Sequence, residues 1–386
     1  MDLLEYQGKQ LFARAGIRVP EGEPASDVEA AVAAAEQIGY PCVIKAQVQI
    51  GGRGKAGGIK VAKDASEART HAEAIIGMDI RGPRGEGPFR VREVWVEQAS
   101  EIDAEYYASI ILDRSEKKSL AILSRMGGMN VEEIAENDPD ALVQRHLDPV
   151  DGLSLNLARE LSVDAGIDED VVGGVAEILV SLSKAFDELD ATLIEVNPLI
   201  VTAAREVVAL DAKVTIDNSA LFRHEDIAGL DDLSDEDPQE RMAKERGLTY
   251  VKLDGNVGIL GNGAGLCMST LDVVANAGGE PANFLDAGGG SKADAIVDAL
   301  EVITSDEKVT AVLFNIFGGI TRCDEVAKGI IEAYSRVDMD VPLVVRLDGT
   351  NSEEGLRLLA EADLDGLEVS GTMLGAAERV VELANV

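Results

Sequence analysis

Basic residues are scarce in this chain. Of its 386 residues only 35 are lysine or arginine, against 71 aspartates and glutamates, which leaves a formal net charge of −36. Nucleic acid is not an expected partner, because a phosphate backbone needs basic patches to neutralise it. An anionic membrane surface is disfavoured on the same ground. The acids run through sequence that otherwise looks folded and do not gather in a tail. Adaptation to high salt is one reading, since screening makes such self-repulsion tolerable. An ordinary acidic protein is the other, and the size of the imbalance favours the first. Cysteine is also rare: Cys42, Cys267 and Cys323 are odd in number and far apart. That argues against a disulfide framework or a paired metal spacing and fits reduced thiols in a cytoplasm. No apolar run reaches the ~18 residues of a membrane helix. The opening MDLLEYQGKQ carries Asp2 and Glu5 where a secretory leader wants positive charge. The only histidines, His71, His146 and His224, sit in polar surroundings and none follows a glycine-rich turn. All three read as surface residues, so nucleophilic catalysis by a histidine of this chain is not expected.

What is present is ample apolar sequence, 46% of residues. At roughly 150 residues per domain the length predicts two or three domains. A first helix is expected over Leu3–Ala15, with Leu4, Leu11, Phe12 and Ala15 on one face and Glu5–Lys9 as an i,i+4 pair. A second helix, Asp27–Ile38, precedes a strand at Cys42–Val48 and a glycine-rich stretch, Gly51–Gly58. A strand at Val91–Glu97 follows a loop at Arg81–Pro88. A long helix covers Asp170–Leu189, and two strands lie at Leu193–Val201 and Val207–Thr215. Glu225–Gly247 is crowded with acids, includes Pro238, and reads as a linker, with the linker between domains placed at residues 236–246. It would separate a first part, 1–235, from a second, 247–386. Beyond it short apolar strands, Val257–Leu260, Ala282–Leu285, Val309–Phe317 and Pro342–Arg346, alternate with helices after glycine-rich turns. Such alternation predicts a parallel α/β sheet.

The strands 193–201 and 207–215 carry the sharpest local argument. A hairpin centred on residue 204 places Asn197 opposite Asp211 and Glu195 opposite Lys213. Side chains alternate faces along a strand, so these four share one face while Ile194, Val196, Ile200, Val208, Leu210 and Val214 form an apolar one. Opposed residues lie about 5 Å apart at Cβ, close enough to share an ion. An oxygen-only pair suits Mg²⁺, which binds a few protein oxygens together with phosphate and water. A solvated outer face of a sheet would show the same alternation.

Three glycine-rich turns are candidates for anion binding. Lys45 ends an apolar strand and is followed by Gly51-Gly52-Arg53-Gly54-Lys55-Ala56-Gly57-Gly58. Glycines let backbone N–H groups approach phosphate oxygens, and Arg53 and Lys55 add charge. It is not a Walker loop, because Ala56 stands where serine or threonine is required; the competing reading is a flexible hairpin tip. Gly261-Asn262-Gly263-Ala264-Gly265-Leu266 follows a strand and begins like a dinucleotide fingerprint, but Leu266 breaks the pattern, and a plain strand-to-helix turn explains it as well. Gly318-Gly319-Ile320-Thr321 opens a helix whose free N–H groups and dipole could hold phosphate or carboxylate; simple capping is the alternative.

Taken together and in this order, these segments resemble the β subunits of succinate–CoA ligases. LLEYQGKQLFARAGI is similar to that family's opening helix and VIKAQVQIGGRGKAGGIKV to its nucleotide loop. IEVNPL and LDAKV are similar to its magnesium strands, and LDGNVGILGNGAGLCMSTLD, GGEPANFLDAGGG and NIFGGITRCD to successive turns of its C-terminal domain. The resemblance spans nearly the whole chain. It implies an α/β protein with an α+β part: an ATP-grasp fold over 1–235, in two subdomains, and a flavodoxin-like CoA-ligase domain over 247–386. Lys45, Gly52, Arg53 and Gly54 match positions that grip nucleotide phosphates; Glu97, Ser100 and Glu105 match hinge and ribose-side positions. Asn197 and Asp211 match the Mg²⁺ ligands. Glu195 matches an acid that steadies a visiting histidine. Asn262, Gly319, Ile320 and Thr321 match the substrate and phosphate site.

The implied reaction is reversible: succinate, CoA and ATP (or GTP) give succinyl-CoA, ADP (or GDP) and phosphate. It would run through a phosphohistidine on an α subunit, in an αβ or α₂β₂ assembly. Three other readings compete. A related synthetase acting on malate or acetate would differ in its acid. A self-sufficient ATP-grasp ligase would not need the anion-type helix ends of the second part. A non-catalytic nucleotide sensor would not need Lys45, Asn197 and Asp211 together.

Overall fold

The computed structural model describes the chain except residues 83, 84, 86, 231–236, 289–292, 337–339 and 386. It divides into two compact units, Met1–Asp235 and Glu236–Val386.

The first unit holds two main sheets. The smaller takes strands β1 (Gly22–Ala25), β2 (Cys42–Ala46), β3 (Ile59–Ala62) and β6 (Val94–Gln98) in the order β1-β6-β2-β3; β4 (Asp79–Ile80) and β5 (Phe89–Arg90) pair separately. The expected loop at 81–88 lies between β4 and β5, and part of it falls outside the described residues. Ile44, Ala46, Val94 and Val96 face helices Val28–Ile38 and Ala65–Ile75, whose small side chains Ala31, Ala35, Ala68 and Ala72 are fully buried against them. Because strand side chains alternate, Lys45, Trp95 and Glu97 are left on the opposite face.

The larger sheet joins β7 (Ile102–Asp113), β8 (Lys118–Ser124), β9 (Val143–His146), β10 (Ala191–Thr202), β11 (Val207–Ala209) and β12 (Lys213–Ile216) in the order β11-β10-β7-β8-β9, with β12 also on β10. Helix Val172–Glu188 buries Val175, Leu179, Leu182 and Phe186 against it; each such side chain contributes about 1.5–3 kcal/mol on burial.

The first helix, Glu5–Arg14, ties the two sheets together. Ahead of it Leu3 donates its N–H to Val214 O at 3.0 Å and Asp2 bridges Thr215, which extends the larger sheet. Gln7 caps the helix by accepting the Leu4 N–H at 2.9 Å. On the other side Tyr6 stacks on Trp95 at 5.9 Å, and its N–H is accepted by Gln47.

The second unit is one sheet covered on both faces. Strands β13 (Thr249–Lys252), β14 (Val257–Gly261), β15 (Asn283–Asp286), β16 (Ala311–Gly318), β17 (Leu343–Gly349) and β18 (Leu367–Val369) lie in the order β13-β15-β14-β16-β17-β18. β14 to β18 run parallel, and β13 is an antiparallel edge. Counted from β14, the parallel strands stand 2-1-3-4-5, the flavodoxin-like order, whose ligand crevice opens where the order reverses. That reversal flanks β14, so the turns after β14 and β16 sit side by side.

Among its described residues the segment read as a linker carries two short helices. Within it, helix Glu225–Ala228 ends the first unit and helix Pro238–Glu245 begins the second, burying Ala243 in its core. Asp237 accepts the N–H groups of Gln239 and Glu240, and proline at the first helical position needs no donor partner. Residues 231–236 of that segment lie outside the described residues.

Candidate active site

The hairpin register expected from the sequence is the one observed. Leu199 faces Ala209, Ile200 faces Val208 and Glu195 faces Lys213. Pairing lapses between β11 and β12, where Asp211 sits, but Leu210 still donates its N–H to Pro198 O at 3.2 Å. The polar face is short. Beyond Asn197 the pairing to β7 shifts register, and Leu199 and Val201 are fully buried.

A cavity of about 140 Å³ opens over this face, lined among others by Gly51, Gly52, Arg53, Glu195, Asn197, Asp211 and Lys213. Behind it lies a cluster of buried charges. Lys45 contacts Glu5 at 2.9 Å and Glu97 at 2.6 Å, and donates to Leu210 O at 3.1 Å. Arg53 meets Glu5 at 2.7 Å and Asp211 at 3.1 Å. Lys9 reaches Glu5 at 2.7 Å and also Glu97, and Trp95 donates its indole N–H to Glu97 at 2.7 Å. Burial alone would drive the Glu5 carboxyl up; Lys45, then Lys9 and Arg53, overcome that and hold it well below its ordinary value. Burial likewise disfavours the Lys45 cation, but Glu5, Glu97 and Asp211 raise it far above the usual lysine range. Both groups therefore stay ionised in a site where an unpaired charge would be expensive.

Glu195 is different. Burial pushes its carboxyl up, offset in part by Lys213 and by the Tyr107 hydroxyl, which donates to it at 3.0 Å. Asn197 uses both ends of its amide on one turn, accepting from the Gly128 N–H and donating to Met129 O, each at 2.8 Å. The Glu105 carboxylate packs against the same Gly128, and its carbonyl accepts the Gly127 N–H at 3.1 Å.

The site residues expected from the sequence thus divide. Gly52, Arg53, Glu195, Asn197 and Asp211 share the cavity lining. Lys45 and Glu97 lie just behind it, and the Glu97 side chain is fully buried. Gly54 follows the lining, while half-buried Ser100 and exposed Glu105 stand outside it. Asn197 and Asp211 offer hard oxygen donors. Among the described residues no group of three or more His, Cys, Asp or Glu side chains could hold a metal ion. A cation here would complete its shell with water and phosphate, which is the habit of Mg²⁺, so the donor set fits that ion.

In the second unit Asn262 clamps the two neighbouring turns. Its amide donates to Phe317 O and accepts the Phe317 N–H, both at 2.9 Å. Asp286 accepts from Gly263 N at 2.6 Å and Gly288 N at 2.7 Å. In Gly318–Thr321 the Thr321 side chain is buried and that of Ile320 is 87% exposed, so Ile320 would act through its backbone. Thr350 holds the turn by donating to Gly318 O and Gly319 O. Helix Cys323–Arg336 follows.

Residues 2–201 match the ATP-grasp domain family and residues 260–380 the CoA-ligase family. The chain is 52% identical to the β subunit of the ADP-forming succinate–CoA ligase of Rubrobacter xylanophilus, across 100% of this chain and 99% of that one. It is 51% identical to the corresponding subunit of Natronomonas pharaonis over the same shares. The chain belongs to the family of succinate–CoA ligase β subunits. Among solved structures, ATP citrate lyase from Methanothrix soehngenii in complex with citrate and coenzyme A shares its fold, with a TM-score of 0.76 at 18% identity over 100% of this chain and 99% of that one.

Against this family frame, the residues that sequence reasoning missed are Glu5, Lys9, Trp95 and Tyr107. Glu5 and Lys9 read as an ordinary helical ion pair, yet they share a buried face with Phe12. Charges at 5 and 9 in line with an apolar residue at 12 were the available clue. The three histidines stand elsewhere: His146 pairs with Asp113 and His224 with Asp190, while His71 contacts Val61 O. None lines the cavity. Among the described residues no helix is long and apolar enough to cross a membrane.

Proposed function

We propose that this chain is the nucleotide-binding subunit of a two-subunit, ADP-forming succinate–CoA ligase. It joins succinate and CoA into succinyl-CoA while ATP becomes ADP and phosphate, reversibly. Support comes from full-length similarity to subunits of that name and from one observation above the others. A glycine-rich turn carrying buried Arg53 and an Asn–Asp pair converge on a single cavity, with buried Lys45 just behind it and no histidine in its lining. In this reading residues 1–235 form an ATP-grasp domain and 247–386 a CoA-ligase domain.

The backbone of Gly52–Gly54 approaches the phosphates, and Lys45 and Arg53 supply charge where it builds up on the transferring phosphoryl oxygens. Glu97 holds Lys45 in place; Ser100 and Glu105 lie toward the sugar side. Asn197 and Asp211 would hold Mg²⁺, which when bound neutralises phosphate charge. The acceptor is a histidine nitrogen of an α subunit. It forms a bond to the γ-phosphorus as the bridging P–O bond breaks, and ADP leaves with the electron pair. Glu195 accepts the N–H on the far side of that imidazole and steadies it. The second unit receives the phosphohistidine. Asn262 and the Gly319, Ile320 and Thr321 backbone hold phosphate and succinate while a carboxylate oxygen takes the phosphoryl group. The CoA sulfur then attacks the acyl carbon, loses its proton, and phosphate departs.

Support for a cytoplasmic setting is the set of three free, buried thiols. The test is to purify the chain with its native partner and assay succinate, malate and acetate with ATP and GTP. Succinyl-CoA formed with ATP in clear preference to the other pairs is the expected result; preference for another acid would replace the substrate assignment.

A further inference from the structure

Lys9 does not line the cavity. It is one of the largest side chains in the protein to be fully buried. Its ammonium contacts only carboxylates among the described partners, Glu5 at 2.7 Å and Glu97. Those carboxylates are the same two that hold Lys45 and, through Glu5, Arg53. The closed part of the cluster therefore contains three cations, Lys9, Lys45 and Arg53, and two anions, Glu5 and Glu97, for a net charge of 3 − 2 = +1. Asp211, with its side chain 32% exposed at the cavity, brings the total to zero through Arg53. If the charge of Asp211 is engaged by a divalent cation, the surplus +1 faces the cavity. Without Lys9 the same arithmetic gives two cations against two anions, and no surplus remains.

We propose that Lys9 is a positioning residue that sets the charge of the nucleotide site from behind, keeping Glu5 and Glu97 from consuming the charge that Lys45 and Arg53 present to phosphate. The inference rests on reading the cavity as a nucleotide site. It accounts for a feature that packing alone does not: a lysine is buried at a large desolvation cost at a place where methionine would fill the same volume. Charge effects inside a low-dielectric cluster persist over several ångströms, so Lys9 can act on phosphate without touching it.

The experiment uses the full-length chain and calorimetric titration with MgADP, with adenosine measured by displacement and thermal melting as the control for folding. Lys9→Met should weaken MgADP by about tenfold or more while leaving adenosine within about twofold, since only the phosphates sense the lost charge. Lys9→Met combined with Glu5→Gln leaves two cations and one anion, a surplus of +1 again, and should recover MgADP affinity to within about threefold. Equal weakening of adenosine and MgADP, or no recovery in the double variant, would mean Lys9 only props the fold. If Lys9→Met does not fold, the double variant still decides, because it buries no unpaired carboxylate; a tenfold loss in it overturns the proposal. Lys45→Met separates the two readings. If it weakens MgADP and Lys9→Met does not, the charge-setting role fails and the nucleotide site stands. If Lys45→Met also has no effect, the nucleotide reading itself fails.

Discussion

Arg53 donates from one guanidinium nitrogen to both carboxylate oxygens of Asp211, at 3.1 and 3.3 Å. The carboxylate assigned to hold Mg²⁺ is thus matched with a cation of the protein. Arg53 is tethered from its other nitrogen by Glu5 and by Ala46 O, so it stays in the site when Asp211 turns to a metal. Exchange of one positive partner for another leaves Asp211 matched with a cation throughout.

Replacing Asp211 should therefore affect metal use more than folding. Asp211→Asn keeps the size of the side chain and removes the charge. We expect the Mg²⁺ concentration for half-maximal turnover to rise about tenfold or more, with a thermal midpoint close to wild type. The measurement is turnover of the two-subunit enzyme against Mg²⁺ concentration. An unchanged curve at limiting Mg²⁺ would remove Asp211 from the site.

The buried thiols give a pH prediction. Burial, reinforced by Asp286, pushes the Cys267 thiol from 9.0 up to about 12, and burial also raises Cys42 and Cys323. An acid whose folded pKa exceeds its unfolded value holds more protons when folded. Between about pH 9 and about pH 12 unfolding releases those protons, so stability is full below pH 9 and declines as pH rises. Native protein at pH 8 should show no thiol reactive to a maleimide over minutes, and all three should react in denaturant. Fast native labelling at any of them would contradict their placement.

How much of this was legible in the sequence depended on whether the signal was local. The register of the 193–215 hairpin was readable because alternation and a tight turn near Ala204 fix it together, and Glu195–Lys213 pair as expected. The parallel sheet of the second unit was readable because each apolar strand ends in glycines. The edge strand Thr249–Lys252 was not, since one face of it is solvated and its run is short. The strand Ile102–Asp113 was also missed, because it opens on acidic, exposed residues before Tyr106 and Tyr107 turn inward. The buried cluster was the least legible part. Glu5 meets Lys45 forty positions away and Lys9 meets Glu97 eighty-eight away, and nothing near either residue announces its partner. The division between the two units falls inside the acidic stretch read as a linker, but the helix start at Asp237–Pro238 within it was hidden by the acidic composition.

The charge of −36 leads to a salt prediction. Self-repulsion among exposed acids opposes the compact state and is screened as salt rises, with a Debye length of ~3 Å at 1 M. The thermal midpoint should climb steeply between low salt and molar KCl. A flat or falling midpoint would discard high-salt adaptation and leave the acidity unexplained.

The final prediction concerns the partner. The cavity proposed to bind nucleotide is built from residues of the first unit and the paired turns at Asn262 and Gly318–Thr321 from residues of the second. Phosphoryl transfer requires reacting atoms about 3–3.5 Å apart, so each site needs a nucleophile brought to it. The three histidines do not supply it: His146 and His224 are paired with Asp113 and Asp190, His71 rests on Val61 O, and none lines the cavity. In the proposed function a histidine on an α subunit fills the gap, taking phosphate from the nucleotide and giving it up at the second unit. There, in the proposed function, the positive dipole end of helix Cys323–Arg336 favours a dianionic phosphoryl group. The purified chain alone should bind ATP, take up no stable label from γ-labelled ATP, and make no acyl-CoA from succinate and CoA. Adding the α subunit should produce an acid-labile, base-stable label on that subunit and restore turnover. Product formed by the chain alone, or label retained on His71, His146 or His224, would place the relay inside this chain and overturn the division of labour between the two subunits.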